Sequence, residues 1–296
     1  MKDSFNKTLP VNEEILTGIL QSLSHESDNS IAQPHLVVGE MGSGKSYLLR
    51  ELASEIGTNY PGLFPIGLID GRTLFSTQDL WKHSIGINGR PVLLVDDIQY
   101  YFDRTSVESQ FDLRGRLSVS GAPILIATSE YVPHHITDYS SALFDAFKVS
   151  YIKPVSKDIY IKFVDDESQL DRLNRLMDYL PKTISSLLMV REILKQSNNK
   201  ADDIEKLRER YSGLYYGRYS ALPIPMQRIL SALVYEKEGL TLAGLREKTE
   251  QDNGKISPYL KIMVDNGILE KTALSQRGAV YRMADPLFRL WLSSSE

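Results

Sequence analysis

The chain has 296 residues, of which 42% are hydrophobic and 24% charged, and its formal net charge is −4. This is the composition of an ordinary globular protein that is long enough for two or three small domains. The absence of cysteine excludes disulfides and thiolate metal sites and fits a reducing, cytoplasmic location. No apolar run approaches the roughly 18 residues of a membrane span. The negative net charge argues against nucleic-acid binding over the whole protein surface, but it is compatible with a local basic face.

The first half of the chain alternates helical and strand patterns. Residues 11–24 place Ile15, Ile19 and Leu23 at helical spacing, which predicts a helix. Five short apolar runs follow, separated by longer segments, at 35–38, 64–70, 92–96, 124–128 and 147–152. Because strands that alternate with helices pair in parallel, residues 1–153 are predicted to form an α/β core around a parallel sheet.

A glycine-rich loop follows the first of these strands. Residues 39–46 read GEMGSGKS, which fits G-x-x-x-x-G-K-[ST] between a strand and a helix pattern. Gly39, Gly42 and Gly44 let the backbone turn tightly so that its N–H groups point at a β-phosphate, and the helix that follows adds its positive end. Lys45 is expected to neutralise the β- and γ-phosphates, and the Ser46 hydroxyl to bind Mg²⁺. The predicted nucleotide contacts in this loop are Gly39, Glu40, Met41, Gly42, Ser43, Gly44, Lys45, Ser46 and Tyr47.

Acidic and hydroxyl side chains end two later strands. The segment VLLVDDIQ, residues 92–99, ends a buried strand in Asp96 and Asp97. Parallel strands share their carboxyl edge, so both acids should lie beside the glycine-rich loop. We expect Asp96 to hold the water shell of Mg²⁺ and Asp97 to orient or deprotonate the attacking water; positioning of Mg²⁺ or nucleotide sensing is the alternative for Asp97. Thr128 ends the next strand, where it would contact the γ-phosphate or that water, with strand-end capping as the alternative.

The second half of the chain carries helical patterns. Residues 154–212 place leucines at helical spacing with a break at Pro181, which predicts a helical lid. Residues 213–225, within YSGLYYGRYSALPIP, are rich in Tyr, Gly and Pro, and we interpret them as a linker. Residues 226–296 contain three helical patterns and two short strand patterns around Gly278, the parts of a winged helix-turn-helix.

The third helix of this last segment is the candidate DNA or partner surface. It should expose Lys255, Ser257 and Lys261, and the predicted β-ribbon tip carries Arg277. Basic and hydroxyl side chains at a helix start and a wing suit phosphate contacts and groove reading. However, residues 226–296 hold ten basic and nine acidic residues, and strong DNA binders usually carry a larger excess of positive charge. Charge alone therefore leaves duplex DNA and a protein partner open.

Taken in order, these parts resemble a known group of proteins. GEMGSGKS, VLLVDDIQ, the polar strand end at Thr128, the helical lid and the winged helix are similar to those of the AAA+ and STAND groups of P-loop ATPases. The archaeal-type ATPases and the origin-recognition initiators are the most similar, and YRMADPLFRLW, residues 281–291, resembles the ending of the archaeal-type members. The resemblance implies ATP and Mg²⁺ as cofactors and ATP hydrolysis as the activity, slow without an oligomer or partner.

The resemblance also implies two basic contacts, and the chain departs from the pattern at both. Where relatives often carry an arginine in the lid, Lys182 follows Pro181, and Lys182 is the candidate γ-phosphate contact. Where ring-forming members carry an arginine before the fifth strand, only Lys148 is near, and a lysine lacks the bidentate fork of a guanidinium. The other candidates for that contact, equally interpretable as surface charges, are Arg104, Arg114 and Arg116.

Two functional hypotheses follow from the resemblance. In the first, the protein is an ATP-driven switch or loader that acts on duplex DNA through its winged helix. In the second, it is a STAND-type signalling or scaffolding ATPase, in defence or transposition, whose winged helix binds protein or clamps the nucleotide. A homo-oligomer or a protein partner is compatible with both.

Overall fold

The computed structural model describes residues 12–24, 30–161, 164, 167–197, 199–250, 253–273 and 278–294. The chain divides into two compact units. The first is Met1–Ile159 together with Thr183–Ser185, and the second is Tyr160–Lys182 together with Ser186–Glu296. None of the helices formed by the described residues is long and apolar enough to cross a membrane.

The first unit is built on one parallel sheet of five strands. These are β1 (His35–Val38), β2 (Leu63–Asp70), β3 (Arg90–Asp96), β4 (Ile124–Ser129) and β5 (Lys148–Tyr151), in the spatial order β2-β3-β4-β1-β5. The helices are α1 (Glu13–Leu23), α2 (Lys45–Asn59), α3 (Thr77–Trp81), α4 (Gln99–Arg104), α5 (Val107–Leu117) and α6 (His134–Thr137), followed by the short α7 (Lys157–Tyr160) at the boundary between the units. The predicted parallel α/β core is therefore confirmed.

Alternating side chains of the strands build a core on each face of this sheet. On one face, Leu36, Leu93 and Leu125 pack against residues of α4 and α5. On the opposite face, Val37 and Leu94 pack against α1 and α2. Successive strand residues point to opposite faces, and a parallel sheet covered on both faces needs apolar residues at consecutive positions. This is why β1, β3 and β4 read as continuous apolar runs rather than as alternating patterns.

The strand order brings three carboxyl ends together. β4 lies between β1 and β3, and its register pairs Val37 with Thr128 and Val95 with Ala127. The loop after β1, the acids after β3 and the hydroxyl at the end of β4 consequently share one edge of the sheet. This edge is the place at which parallel α/β sheets bind their ligands.

The second unit combines helices with a small antiparallel sheet. Its helices are α8 (Glu167–Met177), α9 (Ile184–Gln196, whose first two residues belong to the first unit), α10 (Lys200–Ser220), α11 (Ile224–Leu233), α12 (Leu242–Thr249), α13 (Asn253–Asp265) and α14 (Pro286–Leu292). The strands β6 (Leu240–Thr241), β7 (Leu269–Ala273) and β8 (Ala279–Met283) form a sheet in the order β6-β8-β7. The helices and strands expected for a winged helix occur in the expected order, and the winged-helix interpretation itself stays a prediction.

Helix α10 continues through residues 213–220, which are part of the segment that the sequence pattern assigned to a linker. The Tyr215 ring stacks on Phe288 of α14 with 5.0 Å between centroids, and its hydroxyl donates to Asp285 Oδ2 at 2.9 Å. The Trp291 indole N–H donates to Ser212 Oγ at 3.1 Å. Glycine costs a helix about 1 kcal/mol relative to alanine, and these aromatic contacts offset that cost for the two glycines of the segment. The sequence rule failed because tertiary packing overrode local propensity.

Candidate nucleotide-binding site

The glycine-rich loop is closed around the ammonium group of its own lysine. Gly42 and Gly44 adopt positive φ angles of 80° and 97°, which side chains with a Cβ rarely allow. At Gly39 the space is also limited, since a Cβ there would lie 2.7 Å from Ser43 Oγ. The buried Lys45 Nζ donates to the carbonyl of Gly39 at 2.7 Å and to that of Glu40 at 3.0 Å.

A chain of hydrogen bonds joins this loop to the ends of β3 and β4. Ser46 Oγ donates to Asp96 Oδ2 at 2.5 Å, and Thr128 Oγ1 donates to Asp96 Oδ1. Thr128 Oγ1 in turn accepts from the backbone N–H of Asp97 at 3.1 Å. Thr128 is fully buried. It therefore fixes both acids, whichever of its predicted roles it also performs.

Asp97 is held on both sides of its carboxylate. Its backbone adopts a positive φ of 55°, unusual for a residue other than glycine. Arg72 Nη2 lies 2.5 Å from Asp97 Oδ2, and Gln99 Nε2 lies 3.4 Å from Asp97 Oδ1. The ion pair with Asp97 raises the pKa of Arg72, so this guanidinium is charged at every working pH.

The turn that carries Arg72 depends on a glycine. Residues Gly71–Thr73 form a single 3₁₀ turn after β2. A Cβ at Gly71 would lie only 2.4 Å from the carbonyl oxygen of Asp97. Only glycine permits this approach, and the approach delivers Arg72 to Asp97. Sequence reasoning missed Arg72 altogether, because no local motif marks it.

Two further residues, which sequence reasoning did not single out, contact the glycine-rich loop. The Ser185 N–H donates to the Gly42 carbonyl at 3.1 Å, and a Cβ at Gly42 would lie 3.0 Å from the Cβ of Ser185. Asn12, fully buried, directs its Nδ2 at the Gly44 carbonyl at 3.4 Å. Both contacts join segments that are distant in sequence, and no spacing pattern indicates them.

The donor set fits a nucleotide and Mg²⁺. Ser46 and Asp96 offer the hard oxygen ligands that Mg²⁺ prefers, and Lys45 offers a positive charge beside them. The buried Ser43 Oγ has no hydrogen-bond partner among the described residues, so a donor or acceptor position of the loop is open to a ligand. Burial, followed by the hydrogen bond to Glu51, raises the pKa of Tyr47, whose phenol therefore stays neutral.

Solved structures of other proteins show which known fold this chain shares. A scan with protein-family profiles and a search of curated sequences both find no match. The structure of the Aeropyrum pernix Orc1 protein in complex with DNA matches with a TM-score of 0.59 at 12% identity, covering 99% of this chain and 95% of that one. The Walker-type ATPase PABY2304 of Pyrococcus abyssi matches with a TM-score of 0.59 at 17% identity, covering 95% of each chain. The fold is that of the AAA+ P-loop ATPases.

Another solved structure has a similar fold. The Holliday junction branch migration motor RuvB of Thermotoga maritima matches with a TM-score of 0.50 at 16% identity, covering 90% of each chain. Identities this low show the fold alone. The roles predicted for the loop residues, Asp96, Asp97 and Thr128 therefore stay predictions, although the AAA+ fold brings these residues to one edge.

Of the two lysines at the basic positions that the resemblance implies, Lys182 has local partners in the structure. Lys182 Nζ donates to the Met177 carbonyl and lies 3.3 Å from Asp178, so in this arrangement it binds the end of its own helical segment. Its contact with a γ-phosphate stays a prediction. Lys148 is exposed at the start of β5.

The three arginine candidates also make contacts. Arg114 donates to the Phe144 carbonyl at 2.7 Å, in the segment just before β5 where ring-forming AAA+ members are expected to carry their arginine. Arg104 donates to the Arg72 carbonyl at 2.5 Å. Arg116 pairs with Asp112 on the same helix at 3.0 Å. Arg114 is thus the candidate nearest to the expected position.

The candidate DNA or partner surface lies on α13. Lys255, Ser257 and Lys261 are all exposed on this helix, while Ile256 and Leu260 are buried. The helix therefore turns one face to the core and the basic face outward. Arg277, the fourth residue predicted for this surface, lies outside the described residues.

Proposed function

We propose that this protein binds ATP and Mg²⁺, hydrolyses ATP, and acts as a nucleotide-dependent switch or loader on duplex DNA. The observation that carries the proposal is the cluster of Lys45, Ser46, Asp96 and Thr128 at the carboxyl edge of one parallel sheet. The Lys45 ammonium donates to two carbonyls of its own loop, and it could donate to phosphate oxygens in their place. Phosphate oxygens would replace those carbonyls favourably, because a phosphate adds the attraction between opposite charges to the hydrogen bond.

The chemistry assigned to each residue follows from its surroundings. Ser46 and Asp96 would hold Mg²⁺, which neutralises charge on the β- and γ-phosphates. Lys45 would neutralise the same phosphates from the loop. Asp97 would accept a proton from the attacking water, and Thr128 would keep Asp96 and Asp97 in a fixed relation. Catalysis by such a site is mostly positioning and electrostatic stabilisation.

DNA as the target is supported by two observations of different kinds. The exposed face of α13 carries Lys255, Ser257 and Lys261. One of the proteins with the same fold, the Orc1 protein of Aeropyrum pernix, has a structure in complex with DNA. In this proposal the second unit contacts phosphates through that helix, and the nucleotide in the first unit sets the affinity.

The ATPase half of the proposal is tested with Asp97→Asn. This variant keeps the size of the side chain but removes the proton acceptor, so kcat should fall by about 100-fold while ATP affinity changes less than about threefold. Asp112→Asn, which removes a surface carboxylate paired with Arg116, is the matched control and should retain kcat. A fully active Asp97→Asn protein would remove Asp97 as the base.

The DNA half is tested with the double variant Lys255→Ala, Lys261→Ala. Each lost phosphate contact should reduce the slope of log K against log salt concentration by about 0.9. Duplex affinity should accordingly fall, and its salt dependence should weaken. The control is Lys195→Ala, Lys237→Ala, which removes two exposed lysines elsewhere in the second unit. If both double variants bind duplex DNA equally, α13 is not the DNA-binding surface.

The near balance of ten basic and nine acidic residues in 226–296 favours the second candidate, a STAND-type signalling or scaffolding ATPase. That candidate predicts purification with tightly bound ADP and no salt-dependent affinity for duplex DNA. Mass-resolved sizing with ATP, with ADP and without nucleotide, each with and without duplex DNA, separates the two candidates and reports any homo-oligomer.

A further inference from the structure

Gln99 is a buried amide with one end occupied and the other end open. It is the first residue of α4 and is 2% exposed. Its Nε2 donates to Asp97 Oδ1 at 3.4 Å, whereas its Oε1 accepts no hydrogen bond from any described residue. Buried side-chain amide oxygens nearly always have a partner, so an open one needs an explanation.

The location of this amide is set by the backbone at the end of β3. The positive φ of Asp97 turns the chain sharply, and the Ile98 N–H donates to the Thr128 carbonyl at 2.9 Å. Because α4 begins immediately after this turn, the Gln99 side chain lies within hydrogen-bond distance of Asp97. Asp97 therefore has a charged donor on Oδ2, from the exposed Arg72, and a neutral buried donor on Oδ1.

We propose that Gln99 is a positioning residue for the hydrolytic water, an inference that rests on the proposed ATP hydrolysis. Its amide nitrogen holds Asp97 Oδ1, and its amide oxygen accepts one hydrogen of the water whose other hydrogen points at Asp97. In the reaction the water oxygen bonds to the γ-phosphorus, and the bond from that phosphorus to the bridging oxygen breaks. ADP leaves with the electron pair, and one water proton passes to Asp97.

A neutral amide suits this task better than a second acid or a cation. An ionised carboxylate would repel Asp97 and cannot donate to it, while a lysine or arginine can donate to Asp97 but cannot accept a hydrogen bond from the water. An amide donates at one end and accepts at the other without changing the charge of the site. The open amide oxygen of Gln99 can orient the water, while the Asp97 that its amide nitrogen holds can take the proton from that water.

The test compares Gln99→Met with Gln110→Met. Both glutamines are buried in the first unit, at 2% and 3% exposure, and methionine roughly keeps their volume. Gln110 lies on α5, and among the described residues no hydrogen bond joins it to Asp97. Under single-turnover conditions with Mg²⁺ and excess protein, Gln99→Met should hydrolyse ATP about 100-fold more slowly, with ATP affinity and melting temperature close to those of the parent. Gln110→Met should keep the parent rate.

A pH profile of Gln99→Glu provides a readout that a packing role would not change. A protonated glutamic acid can still donate to Asp97, whereas the ionised form cannot and adds a like charge. Burial and the neighbouring Asp97 carboxylate should raise the pKa of the introduced glutamic acid above its ordinary value of about 4.3. The ratio of the Gln99→Glu rate to the parent rate should therefore fall at least about tenfold between pH 5 and pH 8.

The outcomes distinguish a failure of the proposed ATP hydrolysis from a failure of the role proposed for Gln99. A parent protein without turnover overturns the proposed hydrolysis and this assignment together. A parent with turnover overturns the assignment alone if Gln99→Met matches it, if Gln99→Met loses ATP affinity as much as rate, or if the Gln99→Glu ratio is independent of pH.

Discussion

Asp97 has two donors on its carboxylate oxygens, and they differ in charge and exposure. Gln99 is neutral and buried, whereas Arg72 is charged, its side chain is 57% exposed, and it binds Oδ2 at 2.5 Å. A guanidinium on a proton acceptor occupies a lone pair that the water needs. The Arg72 contact is therefore expected to restrain hydrolysis rather than to assist it.

Removal of this restraint is a testable consequence. Arg72→Ala should raise kcat for ATP by about threefold to tenfold, because Asp97 Oδ2 becomes free to accept a proton from the water. ATP affinity should change little, since Arg72 does not contact the glycine-rich loop. Steady-state hydrolysis beside Arg116→Ala, which breaks a surface pair within one helix, is the measurement. A rate that falls in Arg72→Ala alone would instead assign the guanidinium a supporting role.

The residues of the candidate site differ in how far the sequence could predict them. Lys45 and Ser46 lie in a contiguous motif whose spacing has a physical reason, and Asp96 follows from the rule that parallel strands share a carboxyl edge. Arg72 lies 25 residues from Asp97. It reaches Asp97 only because β2 lies beside β3, with Asp70 opposite Asp96. Sequence patterns gave no strand order, so they could not indicate this pair.

At the scale of single elements, the strands were predictable and one helix was not. Short apolar runs in the sequence predict strands, and all five predicted runs are strands of the parallel sheet. By contrast, residues 213–220 hold two glycines and three tyrosines, which local propensity assigns to a loop. Their helix depends on Tyr215 stacking against Phe288 and on Asp285, 70 residues away from Tyr215. Contacts at that separation are not visible to a local rule.

A buried ion pair between two other helices is the sharpest stability prediction at this scale. Arg172 of α8 binds both carboxylate oxygens of Asp203 of α10, at 2.5 and 2.8 Å, and also donates to Ser197 Oγ at 2.7 Å. Asp203 is only 2% exposed. Arg172→Met should lower the free energy of unfolding at pH 7 by about 3–5 kcal/mol, because it leaves a buried carboxylate without its cation.

The pH dependence of this effect has a definite sign. Burial alone would raise the pKa of Asp203, but the hydrogen bonds from Arg172 and Ser197 outweigh it and lower that pKa. A lowered folded-state pKa stabilises the protein above the unfolded value of about 3.9, and the benefit disappears as the pH falls through the folded value. Urea unfolding should therefore show the cost of Arg172→Met shrinking below about pH 4. Arg208→Met, which breaks an exposed pair with Glu205, should cost less than about 1 kcal/mol at both pH values.

At the scale of the whole molecule, the two units carry different chemistry. The first holds the glycine-rich loop and the two acids, and the second exposes the basic face of α13. The net charge of −4 makes the molecule as a whole repel a polyanion, so any affinity for DNA must come from that local face and must weaken with salt. The proposed nucleotide contacts of the glycine-rich loop and of the two acids, in contrast, lie in the first unit, so nucleotide binding there should be linked to the stability of that unit.

This linkage gives a prediction for the intact protein. A ligand that binds only the folded state at 100 times its Kd stabilises that state by about 2.7 kcal/mol. Thermal unfolding with Mg²⁺ and ATP should therefore show a raised melting temperature, and Lys45→Ala should lose most of that increase, because its ammonium group is the cation facing the phosphates. Lys82→Ala, in which an exposed lysine of the first unit loses its pair with Asp79, should keep the full increase. An equal increase in Lys45→Ala and the parent would mean that ATP binds elsewhere than the glycine-rich loop.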